Sequence, residues 1–117
     1  MKLTNASTGQ VLVSNLEVAS NFWTRTKGLL GRGGLSEDQA LWILRCNSVH
    51  TYFMKFSLDL IFLNKKMVVV DTGTNVRPGR LVLPVWSATS VIELKSGFLE
   101  KNPVRIGEQL HVDHSLS

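Results

Sequence analysis

The stretch "RCNSVHTYFMKF", residues 45 to 56, carries a thiol at Cys46, an imidazole at His50, a hydroxyl at Thr51 and a thioether at Met54. Just beyond it, Asp59 stands inside the apolar run "LDLIFL". If that run is a strand, Asp59 shares a face with Ile61 and Leu63, so its carboxylate lies among apolar side chains. A buried carboxylate without a partner is strongly unfavourable, and Arg45, His50, Thr51 and backbone N–H groups are the candidates to satisfy it. Glu93, in "VIEL", has Val91 and Lys95 on its face, which predicts a half-exposed position.

Several chemistries fit these residue types. Cys46 and His50 would form a thiolate–imidazolium nucleophile if they met within hydrogen-bond reach and the thiol pKa were depressed. Cys46, His50 and Met54 would present soft ligands to Cu(I), but only on one continuous helix. Zinc is disfavoured by the single cysteine and by the position of His111 and His114 near the C-terminus without ligand spacing, so no metal or cofactor is expected. The favoured reading is a non-catalytic pocket for a small molecule, lined by Arg45, Cys46, His50, Thr51, Met54 and Asp59, with Arg77 and Glu93 from neighbouring strands. One alternative is an enzyme using Asp59 and His50 as an acid–base pair. Another is an interaction module with an apolar patch around Trp23, Trp42 or Trp86. The plainest is a structural hydrogen-bond network that ties Asp59 to the preceding turn.

The elements that would position these groups follow from periodicity and turn chemistry. Ser48 is placed to cap a two-turn helix over residues 49 to 55, which would set His50 and Met54 on one face. "ALWILRC" and "LDLIFLNKKMVVVD" predict three strands at the centre of a sheet, the last two joined by a tight turn at Asn64, Lys65 and Lys66. "KLTNA" and "QVLVSNLEVA" read as a hairpin about Gly9. "SNFWTRTKGLLGRGG" reads as a short helix ended by glycines; "GLLGRGG" lacks the Gly-Lys-Ser/Thr of a phosphate loop. The Pro-Gly signal in "NVRPGRLVLPVW" predicts an edge or extended loop. "SVIEL" and "EQLHVD" are further strands, "KSGFLEKNP" a turn with a short helix, and "HSLS" a frayed end.

The whole chain sets the frame. Its 117 residues, 44% apolar and 19% charged, suit one domain with a single cooperative core and exclude a disordered polymer. A net charge of +4 comes without a helix-turn-helix, finger or stacking motif, so no nucleic-acid partner is expected. The start lacks the apolar stretch of a secretory signal and no run approaches a bilayer span, so no membrane partner is expected either. One cysteine suits a reducing compartment, and the cytoplasm is the expected location. The fold class is α+β: one domain over 1–117, mostly antiparallel, with one or two short helices. Oligomeric state is left open.

"GLLGR", "CNSVHTYFMKFSLDLIFLN", "VRP", "VIEL", Gly97 and "IGEQL" together resemble the uncharacterised bacterial and archaeal family known as domain of unknown function 192. The resemblance runs from about Val18 to Leu110. Its most specific block contains Cys46, Asn47, His50, Thr51, Met54, Asp59 and Phe62 in order. It implies a small α+β domain with a strongly curved, barrel-like sheet, and it implies no activity. This chain departs from the family's usual pattern at Glu108, where Asp is frequent, and at Lys95, where proline is usual. Many relatives also carry a leader or membrane anchor.

Overall fold

The computed structural model describes residues 1–19, 34–52 and 54–114. Among the described residues ten strands and one short helix follow in chain order: β1 (Lys2–Asn5), β2 (Val11–Val13), β3 (Asn15–Ala19), β4 (Gln39–Leu44), β5 (Val49–His50), β6 (Leu58–Leu63), β7 (Val69–Val76), β8 (Leu81–Val82), β9 (Ser90–Lys95), α1 (Phe98–Lys101) and β10 (Leu110–Asp113). The strands pair as a three-stranded sheet β10-β1-β2, a five-stranded sheet β3-β4-β9-β6-β7 and a two-stranded arm β5-β8. Only β3 and β4 run parallel; the other named pairs are antiparallel.

β6 explains the architecture best. All six of its residues are buried, because β7 and β9 flank it and both faces of the sheet are covered. A strand in that position must be apolar on both sides, which is why "LDLIFL" reads as a continuous run instead of an alternation. Asp59, Ile61 and Leu63 take one face; Leu58, Leu60 and Phe62 take the other.

The first face packs on the three-stranded sheet and α1. Ile61, Leu63, Ile92 and Leu94 meet Leu3, Val13, Leu110 and Phe98 there. The second face is covered by the arm and its flanking loops, where Leu58, Leu60, Phe62 and Val91 meet Val49, Met54, Val82 and Ala88. The two cores are separated by the sheet itself.

The β1–β2 hairpin forms about residues 5 to 10, with the Asn5 side-chain oxygen accepting from Ser7 N at 3.0 Å and Gly9 in the left-handed region at φ 81°. Such turns need both a local acceptor and a residue that tolerates positive φ. In the β6–β7 turn, Asn64 Oδ1 accepts from Lys66 N at 2.9 Å and Val68 N at 3.0 Å.

Four expectations change. The segment "QVLVSNLEVA" divides at Ser14 into β2 and β3, which belong to different sheets. The centre of the five-stranded sheet is β9, with β4 and β6 on either side and β7 at an edge. The expected barrel-like closure is not seen, since none of the three sheets closes on itself among the described residues. The helix expected over 49 to 55 is replaced by β5 and a turn. β-branched Val49 and Thr51 suit extended backbone, and the arm supplies their partners: Val49 pairs with Val82, and Thr51 N donates to Arg80 O at 2.8 Å. The helix expected after Ser20, its glycine-rich end before Gly34, Trp23, Phe53 and residues 115–117 lie outside the described residues.

Candidate functional site

Asp59 is 1% exposed, as its strand position required. Its partners are backbone amides: Oδ1 accepts from Asn75 N at 2.9 Å and Oδ2 from Leu99 N at 2.8 Å. One carboxylate therefore ties β6 to the bend of β7 and to the first turn of α1. Two charge-assisted bonds of this kind satisfy both oxygens and offset the cost of burial. Among the described residues, the turn before Asp59 supplies no hydrogen bond to it. Asp59 points with Ile61 and Leu63 into the first core, whereas the chain at Val49 and Met54 packs into the second. The Asp59–His50 pairing is thus not formed.

Glu93 departs from expectation. It is 1% exposed, not half exposed. The alternation that suggested exposure is overridden by position: β9 lies at the centre of the sheet, and Glu93 stands in register between Leu41 of β4 and Leu60 of β6. Both neighbours belong to the second core, so the carboxyl is set among apolar side chains. Among the described residues its Oε2 has no hydrogen-bond partner. Desolvation pushes its pKa up to about 7.

Cys46 lies just past the end of β4. Arg45 adopts the left-handed conformation at φ 51° and turns the chain there, and Cys46 N then donates to Thr89 O at 3.1 Å. The thiol donates to Ser48 O at 2.9 Å and packs against the second core. Its pKa is raised, first by burial and to a smaller degree by the nearby Glu93 carboxylate. Around it Arg45, Cys46, Asn47, Ala88 and Thr89 line an open cleft of about 340 Å³.

The remaining predicted residues belong to the arm. Thr51 is buried; its hydroxyl donates to Arg77 O at 2.6 Å and accepts from Arg80 N at 2.9 Å, while its carbonyl accepts from Gly79 N at 2.7 Å. It therefore clamps the Pro-Gly turn to β5. Arg77 enters this clamp through its carbonyl, and its side chain is exposed. His50 is half-buried, and its ring stacks on Tyr52 with centroids 5.3 Å apart. Met54 is core filler on the second face.

Of the eight residues named from sequence, the fold brings Cys46, Met54 and Glu93 onto one side of the sheet and sets Arg45 at the cleft beside Cys46. Asp59 is on the opposite side; Thr51, Arg77 and His50 shape the arm. Asn47, Ala88 and Thr89 were missed, and only the Cys46–Thr89 backbone contact reveals the last two. The helical spacing required for a Cys46–His50–Met54 copper site is absent, and no group of three His, Cys, Asp or Glu suited to a metal occurs among the described residues. Among those residues no helix is long and apolar enough to cross a membrane.

Comparison with known proteins gives the same fold and lineage. A protein of unknown function from Novosphingobium aromaticivorans superposes with a TM-score of 0.73 at 22% identity, covering 95% of this chain and 82% of that one. A second crystal structure, from Sinorhizobium meliloti, gives 0.76 at 20% identity over 94% and 89% of the two chains. The UPF0127 protein of Thermococcus sibiricus is 31% identical over 113 residues, 92% of this chain and 72% of its own length. That of Pyrococcus furiosus is 32% identical over 111 residues, 91% and 93% of the two chains. The family model DUF192, "Uncharacterized ACR", matches residues 3–112, so the chain belongs to that uncharacterised family across nearly all its length.

Proposed function

We propose that this domain binds a small molecule and leaves it chemically unchanged, with the ligand seated in the cleft beside Cys46. The observation that carries the reading is the Glu93 carboxyl, which is buried and has an oxygen without a hydrogen-bond partner among the described residues. Native proteins rarely leave a buried acceptor unused, and such groups mark sites that a further donor completes. The carboxyl lies close enough to Cys46 to raise the thiol's pKa, and Cys46 lines the cleft. A ligand reaching past the thiol with an N–H group would satisfy it, so the favoured class is a small amine or amide. Arg45 and Asn47 supply polar contacts at the rim.

A binding role is favoured over nucleophilic catalysis because the thiol is held protonated. The thiolate is the reactive form, and burial and a neighbouring carboxylate both work against it. The reading also moves the pocket away from Asp59 and His50, whose positions do not converge.

The test is a backbone-amide NMR titration of the full chain with ethanolamine, glycinamide and acetamide. The expected result is saturable shifts at Cys46, Asn47 and Thr89 for one of the N–H donors, weakened at least tenfold in Glu93→Gln. Shifts confined to other parts of the sheet, or shifts indifferent to Glu93→Gln, would overturn the proposal.

A further inference from the structure

The arm and the loops that flank it carry a second feature, which touches the cleft only at Arg45. Four large apolar side chains stand out from it: Tyr52 at 53% exposure, Leu81 at 60%, Leu83 at 73% and Trp86 at 85%. They lie on two lengths of chain that run side by side. His50 pairs with Leu81, Thr51 N donates to Arg80 O, and Val85 N donates to Asn47 O. The inward residues Val49 and Val82 already fill the second core, so nothing in the packing of the described residues calls for the outward set to be apolar.

Charge is distributed on the same arm with one sign. Residues 45–58 and 76–89 contain no Asp or Glu, and their four cations, Arg45, Lys55, Arg77 and Arg80, are all exposed. Outside these two segments nine Lys and Arg balance nine Asp and Glu, so the arm with its flanking loops holds the whole net charge of +4. The Thr51 clamp fixes the backbone between Arg77 and Arg80, which presents both side chains from one turn.

The geometry points to peripheral docking of this arm on an anionic lipid surface, with Trp86, Leu83, Leu81 and Tyr52 entering the headgroup region and the four cations lying against acidic headgroups. Aromatic rings with a polar edge settle at that depth, and exposed aliphatic residues beside them gain by leaving water. Each Lys or Arg near an anionic leaflet strengthens partitioning roughly fivefold. A nucleic acid would match the charge but gives Leu81 and Leu83 nothing to enter, since its apolar surface is the flat face of the bases. This inference departs from the sequence-based expectation of no membrane partner, which concerned spanning segments and targeting signals. It requires no segment that crosses the bilayer.

Flotation of the full chain with vesicles of pure phosphatidylcholine, and of phosphatidylcholine with about one-third phosphatidylserine, tests it. The expected result is flotation with the serine-containing vesicles alone, decreasing as salt rises. Leu83→Ser with Trp86→Ser should weaken it at least tenfold, as should Arg77→Glu with Arg80→Glu. All four side chains are exposed, and circular dichroism with an unfolding midpoint establishes that each variant is folded. The inference is overturned if the parent chain does not float with the anionic vesicles, or if either variant pair floats like the parent. It is also overturned if Trp86 and Leu83 prove to serve only self-association in sedimentation velocity, or only binding of a single-stranded oligonucleotide.

Discussion

Asp59 and Glu93 are both buried carboxyls on neighbouring strands of one sheet, and they face opposite cores. In register, Asp59 sits across from Leu94 and Glu93 across from Leu60. Asp59 receives two backbone amides, from Asn75 and Leu99. Glu93 retains an oxygen with no partner among the described residues. The difference lies in where the strands end: Asp59 is near the start of β6, beside a bend of β7 and the first turn of α1, where amides are not used by a ladder. Glu93 is inside β9, which pairs with β4 on one side and β6 on the other, so the backbone on both sides is engaged in strand pairing. Equal burial therefore produces a structural latch in one case and an open acceptor in the other.

The largest expected effect breaks the latch. Asp59→Ala leaves the buried Leu99 amide without an acceptor and should cost about 3–5 kcal/mol, a range typical of removing one member of a buried charged hydrogen-bond set. Urea unfolding measures it, and a loss under about 1 kcal/mol would show that the two carboxyls are more alike than their partners indicate.

Glu93 sharpens the contrast through pH. Its folded pKa of about 7 stands above the ordinary 4.5, so the folded state binds the proton more tightly. Stability should be greatest below the unfolded pKa, fall as pH rises from about 4.5 to 7, and level off above, with a total of roughly 3 kcal/mol. Glu93→Gln should remove that slope and be more stable than the parent at pH 8. Unfolding at pH 5 and pH 8 checks the sign; a parent chain that gains stability over this interval while the variant does not would place the carboxyl beside an unrecognised cation.

The smallest effect concerns the arm. Thr51→Val keeps the shape and β propensity but removes the hydroxyl that bridges Arg77 and Arg80, with an expected cost of about 1–2 kcal/mol. Hydrogen exchange at Arg80 should accelerate while exchange in β6 and β9 is governed by the global loss alone. If Arg80 is unaffected, the clamp is held by the backbone bonds and not by the side chain.

Local signals in the sequence were enough for several features. The β1–β2 hairpin, the turn at Asn64, the strands of "LDLIFL" and "SVIEL" and the short helix after Gly97 depend on neighbours in the chain, and each was legible. The burial of Asp59 was legible for the same reason, because two-residue alternation puts it among Ile61 and Leu63. The helix drawn over 49 to 55 failed where local preference was weak and a distant segment, residues 79 to 82, decided the backbone's partners.

What the sequence determined on its own is a small domain rich in strands, with polar residues concentrated near positions 45 to 59 and a carboxylate that cannot face water. Tertiary structure alone decided which amides hold Asp59, that Glu93 occupies a central strand, and that Cys46, Ala88 and Thr89 share a cleft. The physical reason is range: alternation and turn chemistry act over a few residues, whereas strand order chooses partners tens of residues away. A side chain's burial on a sheet depends on that choice as much as on its own identity.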